Sequence, residues 1–223
     1  MISKKPVIFS DFDGTITERD VIVMIMEKFA PPKWVEIKNK ILYERTITLK
    51  DGIERLFSLI DSKKKNEIIE FAKKEAKIRG GFDELLNFCE KEKIKFNVLS
   101  AGLDFFINPI LEKHKNKLNI FCNLGDFNSE KIKINWGCCK IEIIEKYPKE
   151  EFMRVLIGDG LAELEAAKIV DIVFARGDLV KLLEQEGISY IPFQNFFEVK
   201  EQLEKTKRPA SPAKRGERAG EPA

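Results

Sequence analysis

The sequence predicts an α/β fold, a doubly wound and mainly parallel sheet with a four-helix cap inserted after its first strand. Short apolar runs alternate with amphipathic helical patterns over most of the chain, which is the signature of βαβ units. Three of those runs end at once in small or polar residues, "SDFDGT", "SAG" and "GDG". In open parallel sheets, ligands bind outside such carboxyl ends. Between residues 17 and 79 strands are lacking, and helical patterns come as a block of four.

The strand candidates in chain order are residues 7–9, 96–99, 119–121, 155–157 and 172–175. Helical stretches in the insertion fall at about 21–29, 34–43, 49–60 and 65–77, separated by "APP", "ERTIT" and "IDSK". Proline, and clusters of Ser, Thr and Asp, are the expected breakers. Residues 124–136, "LGDFNSEKIKINW", read as a short hairpin or extended excursion before a helix starting near Cys139. These boundaries divide the chain into a core of residues 1–17 and 80–206, a helical cap of 18–79 and a tail of 207–223. The tail, "KRPASPAKRGERAGEPA", has no Ile, Leu, Val or aromatic residue, so it is expected to be disordered.

Composition narrows the function classes. The 223 residues are 34% charged and 43% hydrophobic, and the net charge is +2 with basic and acidic residues interspersed. Nothing there marks a nucleic-acid partner. No apolar run reaches the ~18 residues of a membrane span, and the first ten residues are too short in their apolar part for a secretory signal. A cytoplasmic location, no membrane partner and a monomer or homodimer are the expectations. Four cysteines do not make a disulfide scaffold in a chain of this size. Cys138 and Cys139 lack a second pair or a nearby histidine and read as small hydrophobes near a helix start. The single histidine, His114 in "LEKHKNK", reads as a solvated helix residue.

The chemistry concentrates at the three strand ends. Asp11 and Asp13 follow an apolar run directly, and crowding two carboxylates is costly unless something positive answers them. Asp11 suits a nucleophile that forms a covalent phosphoryl intermediate. Asp13 suits a general acid and base. Gly14 permits a tight turn, and the Thr15 hydroxyl can brace that turn or donate to phosphate. Read alone, "DFDGT" is equally a β-turn with Asp caps. Ser100, Ala101 and Gly102 can present a hydroxyl and backbone N–H groups to an anion, or Ser100 can cap the next helix. Asp159, between Gly158 and Gly160 after "VLI", can hold Mg²⁺. Glu163, one turn on, can orient a ligand or answer the helix dipole. Such a site also needs a point cation for the transferring oxygens, but the residues alone do not single out one lysine.

Together, Asp11-Phe12-Asp13-Gly14-Thr15, Ser100, Lys140 and Gly158-Asp159-Gly160 with Glu163 resemble the four ordered motifs of the haloacid-dehalogenase-like phosphohydrolases. The resemblance implies Mg²⁺ as cofactor, a small phosphorylated metabolite as partner and an aspartyl-phosphate intermediate. It implies that Asp11 is the nucleophile and Asp13 the acid and base. Thr15, Ser100, Ala101, Gly102 and Lys140 would contact phosphate. Asp11, Asp13 (through its carbonyl) and Asp159 would bind the metal, with Glu163 behind them. The family often has Asp where this chain has Glu163.

The helical cap resembles that of the phosphoserine-phosphatase-like branch, which implies substrate contacts from Asp20 and Arg55. Arg55 otherwise reads as a surface helix arginine. Within the branch, "FAPPKW", "SAGLDFF", "GCCK" and "FARGDL" are similar to the methionine-salvage phosphatases, although Trp136 leads straight into "GCCK" where those relatives can carry a longer segment. That similarity implies a substrate with a methylthio tail. Met24, Met26, Phe29 and Trp34 are available to line a slot for it, or to form the cap's own core. The other readings are a phosphatase for phosphoserine or another small phosphate, a phospho-acceptor signalling domain and a silent binding module.

Overall fold

The structure is a computed structural model and describes residues 4–207. The expected tail lies outside them except for Lys207, which closes the last helix. Seven strands, β1 (Lys5–Ser10), β2 (Lys95–Leu103), β3 (Asn119–Asp126), β4 (Lys133–Asn135), β5 (Phe152–Gly158), β6 (Ile172–Ala175) and β7 (Ile191–Pro192), form one sheet in the order β4-β3-β2-β1-β5-β6-β7. Every neighbouring pair is parallel except β3 and β4, which make the antiparallel hairpin read from residues 124–136. The chain leaves central β1 toward β2 and later returns to its other side as β5. That reversal is the topological switch point where a crevice opens.

Among the described residues, ten α-helices accompany the strands: α1 (Val21–Phe29), α2 (Trp34–Leu42), α3 (Leu49–Phe57), α4 (Lys65–Glu75), α5 (Phe82–Lys91), α6 (Asp104–Leu111), α7 (Lys140–Glu145), α8 (Leu164–Ala167), α9 (Gly177–Glu186) and α10 (Phe196–Lys207). The first four are the insertion. Asp20 caps α1 by accepting from the Val23 N–H at 2.9 Å, and Thr48 caps α3 by accepting from Asp51 at 3.0 Å.

Alternation along β1 feeds two cores. Val7 and Phe9 face α7, α8 and α9 with Leu99, Leu156 and Val173, whereas Ile8 faces the opposite layer with Phe96, Val98 and Phe106. That second core continues into the insertion. Phe57 of α3 stacks on Phe106 of α6 at 6.4 Å between ring centroids and meets Phe105 edge-on. Trp136, beyond β4, donates to Glu54 of α3 at 2.5 Å.

His114 differs from its expectation. Only 4% exposed, its ring meets the Phe82 edge at 5.1 Å, and Nε2 lies 2.5 Å from Asp83. The flanking lysines suggest a wet helix face, but the turn after α6 packs the ring against the start of α5. The histidine holds the Asp83 carboxyl below its usual range.

The segments entering and leaving the insertion pair with each other. Thr17 bridges Ile78, and Arg79 donates its N–H to the Ile16 carbonyl at 2.8 Å. The buried Arg79 guanidinium then donates to the carbonyls of Gly14 (2.7 Å), Thr15 (2.8 Å) and Thr17 (2.9 Å). One planar fork thereby satisfies main-chain acceptors that have no water to turn to. Arg79→Met is expected to destabilise the protein by about 2–4 kcal/mol in urea unfolding, because several buried carbonyls lose their donor. An unchanged midpoint and slope would show that the clamp contributes nothing.

Candidate active site

The site forms where β1, β2 and β5 end side by side. The register sets Ser10 opposite Val98 on one side and Ile157 on the other, so the next residue, Asp11, emerges at the switch point. Its backbone N–H donates to the Ile157 carbonyl at 2.9 Å. The chain then turns sharply through residues 12–16. Gly14 has φ +75°, and a Cβ there would collide with the Asp159 carboxylate. Both the left-handed backbone and the close approach require glycine. The Thr17 hydroxyl accepts from the Gly14 N–H at 3.1 Å and donates to the Phe12 carbonyl. Arg176 adds a donor to the Gly14 carbonyl at 2.5 Å.

The Lys140 ammonium lies 2.8 Å from the Asp11 carboxylate and also pairs with Glu163, with all three side chains nearly sealed from solvent. Burial pulls the lysine's pKa down, but the two carboxylates outweigh it and hold the ammonium charged. Burial pushes the Glu163 carboxyl up to about 8, with help from Asp11 and against the pull of Lys140. A Cβ on Gly158 would collide with the Glu163 side chain, so glycine there lets the glutamate lie against the strand end.

Asp13 has partners other than Lys140. Its carboxylate accepts from the Val21 N–H at 3.0 Å and lies 3.4 Å from the Ser100 hydroxyl. Burial first, then Asp20 and Asp11, raise its pKa well above the ordinary aspartate value. A shift in that direction favours the protonated form that an acid catalyst needs. Asp20 is raised too, by burial and then Asp11, against the N–H of Val23. Asp159 accepts from the Thr15 hydroxyl at 3.1 Å, and burial and Asp11 push it up to about 7.

These groups border a cavity of about 540 Å³ between the sheet edge and the helical insertion. Asp11, Asp13, Ala101, Asp159 and Glu163 form part of its sheet-side wall, and Asp20 faces them from the start of α1. Thr15, Ser100, Gly102 and Lys140 sit behind that wall. Thr15 is spent on Asp159, and the Gly102 N–H donates to Ser100 Oγ at 2.9 Å. The structure does not bring Arg55 to the cavity. Ile53, Leu56 and Phe57 take the buried face of α3 and leave Arg55 exposed. The insertion's arginine on the cavity wall is Arg45, in the loop after α2 with φ 52°. Sequence reasoning also missed Asn123. Fully buried on β3, it donates to the Ala101 carbonyl at 2.9 Å and accepts from the N–H groups of Gly137 and Cys138 at 3.1 Å. It joins the Ser100 loop to the approach to Lys140. Its place after a strand-like run is the one signal the sequence carried. Cys122 and Cys138 are held as thiols, because burial raises them to about 12 and about 11.

The family model for haloacid dehalogenase-like hydrolases matches residues 8–168. This chain belongs to the haloacid dehalogenase-like hydrolases. It is 42% identical over 208 residues to a Bacillus cereus protein named 2-hydroxy-3-keto-5-methylthiopentenyl-1-phosphate phosphatase, covering 88% of this chain and 94% of that one. A Bacillus velezensis protein of the same name is 39% identical over 215 residues, covering 91% and 92%. Among solved structures, a substrate-bound phosphoserine phosphatase superposes with a TM-score of 0.70 at 20% identity, covering 90% of this chain and 99% of that one. That likeness shows the shared fold. Among the described residues, no helix is long and apolar enough to cross a membrane.

A raised carboxyl has a stability consequence with a definite sign. In the metal-free protein, folded Asp159 holds its proton up to about pH 7, whereas the unfolded chain releases it near 3.8. Between those values the folded state binds more protons, so stability falls as pH rises through the window. Asp159→Asn is therefore expected to raise the melting temperature at pH 8 by about 3 °C or more, with a smaller gain at pH 5 and little change near pH 3. A larger gain at pH 5 than at pH 8 would reverse the sign and contradict the assignment.

Proposed function

We propose that the protein is a Mg²⁺-dependent phosphatase that hydrolyses 2-hydroxy-3-keto-5-methylthiopentenyl 1-phosphate through a phosphoryl group carried on Asp11. The observation that carries this reading is the Asp11 carboxylate, on the cavity wall beside Asp13 and fixed from behind by Lys140 at 2.8 Å. The substrate follows the name shared by relatives about 40% identical over nearly their whole length.

Asp11 Oδ attacks phosphorus, and the bond from phosphorus to the substrate's C1 oxygen breaks. Asp13, held by the Val21 N–H and with its pKa raised chiefly by burial, gives a proton to that leaving oxygen. With Asp13 now a carboxylate, it takes a proton from a water that attacks the same phosphorus. The Asp11–phosphorus bond breaks, inorganic phosphate forms and the starting carboxylate returns. Lys140 steadies the nucleophile and offsets charge on the phosphoryl oxygens. A proton-donating neighbour built into the turn favours turnover over a stored phosphoryl group, the alternative for a signalling domain.

The donor set fits Mg²⁺. Asp11, Asp159 and Glu163 each offer a carboxylate oxygen, all within 4.8 Å of one another. Such hard oxygen donors suit that ion, and the upward shifts at Asp159 and Glu163, from burial first and then from the Asp11 charge, are ones a bound cation would offset. Asp11 and Asp159, with the Asp13 carbonyl, would hold the ion and Glu163 would back it. When bound, it neutralises phosphate charge for the attack.

Phosphate release tests the reading. Asp11→Asn is expected to lower turnover by about 10³-fold or more while melting normally, and Asp13→Asn to slow it severely. Chelation should abolish activity and Mg²⁺ restore it, with a weaker rescue in Asp159→Ala. Full activity in folded Asp11→Asn, or turnover indifferent to chelator, would overturn the mechanism.

A further inference from the structure

A second cavity, of about 90 Å³, lies inside the helical insertion between α1, α2 and α3. It shares Asp20, Ile22, Leu42, Leu49 and Ile53 with the main cavity, so the two adjoin and it lies beside the site as an annex. Met26, Trp34, Ile41 and Leu56 line the part that is not shared. Two polar side chains reach it, and both are engaged. Asp20 accepts from Val23, and the Lys38 ammonium lies 5.5 Å from the Trp34 ring centroid. Water in a cavity needs two to four polar partners, which this lining does not supply generously.

Resting on the substrate reading above, we infer that this annex is the specificity subsite for the substrate's methylthio end. The relatives' name places phosphate on C1 and methylthio on C5, so the two groups stand at opposite ends of one chain. With phosphate at Asp11, the far end points away from the sheet edge toward the insertion. A thioether has no strong hydrogen-bonding need, and its polarisable sulfur packs well against Trp34 and the Met26 thioether. Against the Met26, Trp34, Ile41 and Leu56 walls, the charged end of phosphoserine would give up hydration that a thioether does not need. Two residues expected from sequence for such a slot stand elsewhere: Met24 is buried in packing, and Phe29 meets Phe71 edge-on at 5.5 Å.

Steady-state kinetics of the full chain with Mg²⁺ test the inference on two compounds, the methylthio substrate and its analogue with hydrogen in place of the methylthio group. Wild type should favour the first by about 10- to 100-fold in kcat/KM, the discrimination an apolar pocket of this size provides. Val23→Phe adds bulk to the annex from a half-buried position on α1. Trp34→Ala removes its aromatic wall. Each should cut the preference by about 10-fold, chiefly through KM for the methylthio compound. A wild-type preference left intact in both folded variants would overturn the subsite and spare the substrate. Equal use of the two compounds by wild type would overturn the subsite alone, whereas no turnover of the methylthio compound would overturn both.

Discussion

The Lys140 ammonium stands between Asp11 and Glu163, and the geometry of the site depends on that buried cation. Asp11, Asp13, Asp20, Asp159 and Glu163 all converge on one cavity. Their mutual repulsion shows in the upward shifts of four of them, with burial the largest cause in each. Lys140 answers Asp11 and Glu163 directly from the first position of α7. It thus ties the end of β1 to the turn after β5. Arg79 and Arg176 act on the backbone of the same loop, where they hold the Gly14 carbonyl. The cations therefore have separate tasks, one on carboxylates and two on main chain.

Much of this was legible in the sequence, for identifiable reasons. Helix α1 falls on residues 21–29 as expected, because Asp20 caps one end and Ala30-Pro31-Pro32 stops the other. Strand β6 matches residue for residue because its apolar run is short and sharply bounded. Strand β7 has two residues and no pattern to detect. Asp11, Asp13 and Asp159 could be read because strand ends in a parallel sheet converge.

What escaped the sequence depends on tertiary contacts. Lys140 is one of many lysines, so the residue types alone do not single it out; the resemblance to the family's motifs named it, and the approach of α7 to the strand ends supplies the physical reason. Arg79, in "KIRGG", looks like a basic surface residue, since its partners are carbonyls that carry no sequence signature. His114 is hidden among lysines, and Arg55 is turned outward by the buried face of α3. In each case the deciding contact lies far away along the chain.

The proposed chemistry requires a phosphoryl group carried by Asp11. Borohydride reduces an acyl phosphate to an alcohol, so an aspartyl phosphate trapped during turnover becomes homoserine. Quenching wild-type protein with borohydride during steady-state hydrolysis, followed by peptide mass spectrometry, is predicted to show homoserine at position 11 only when substrate and Mg²⁺ are both present. Modification at Asp13 or Asp159 instead, or none under conditions of active turnover, would contradict the account.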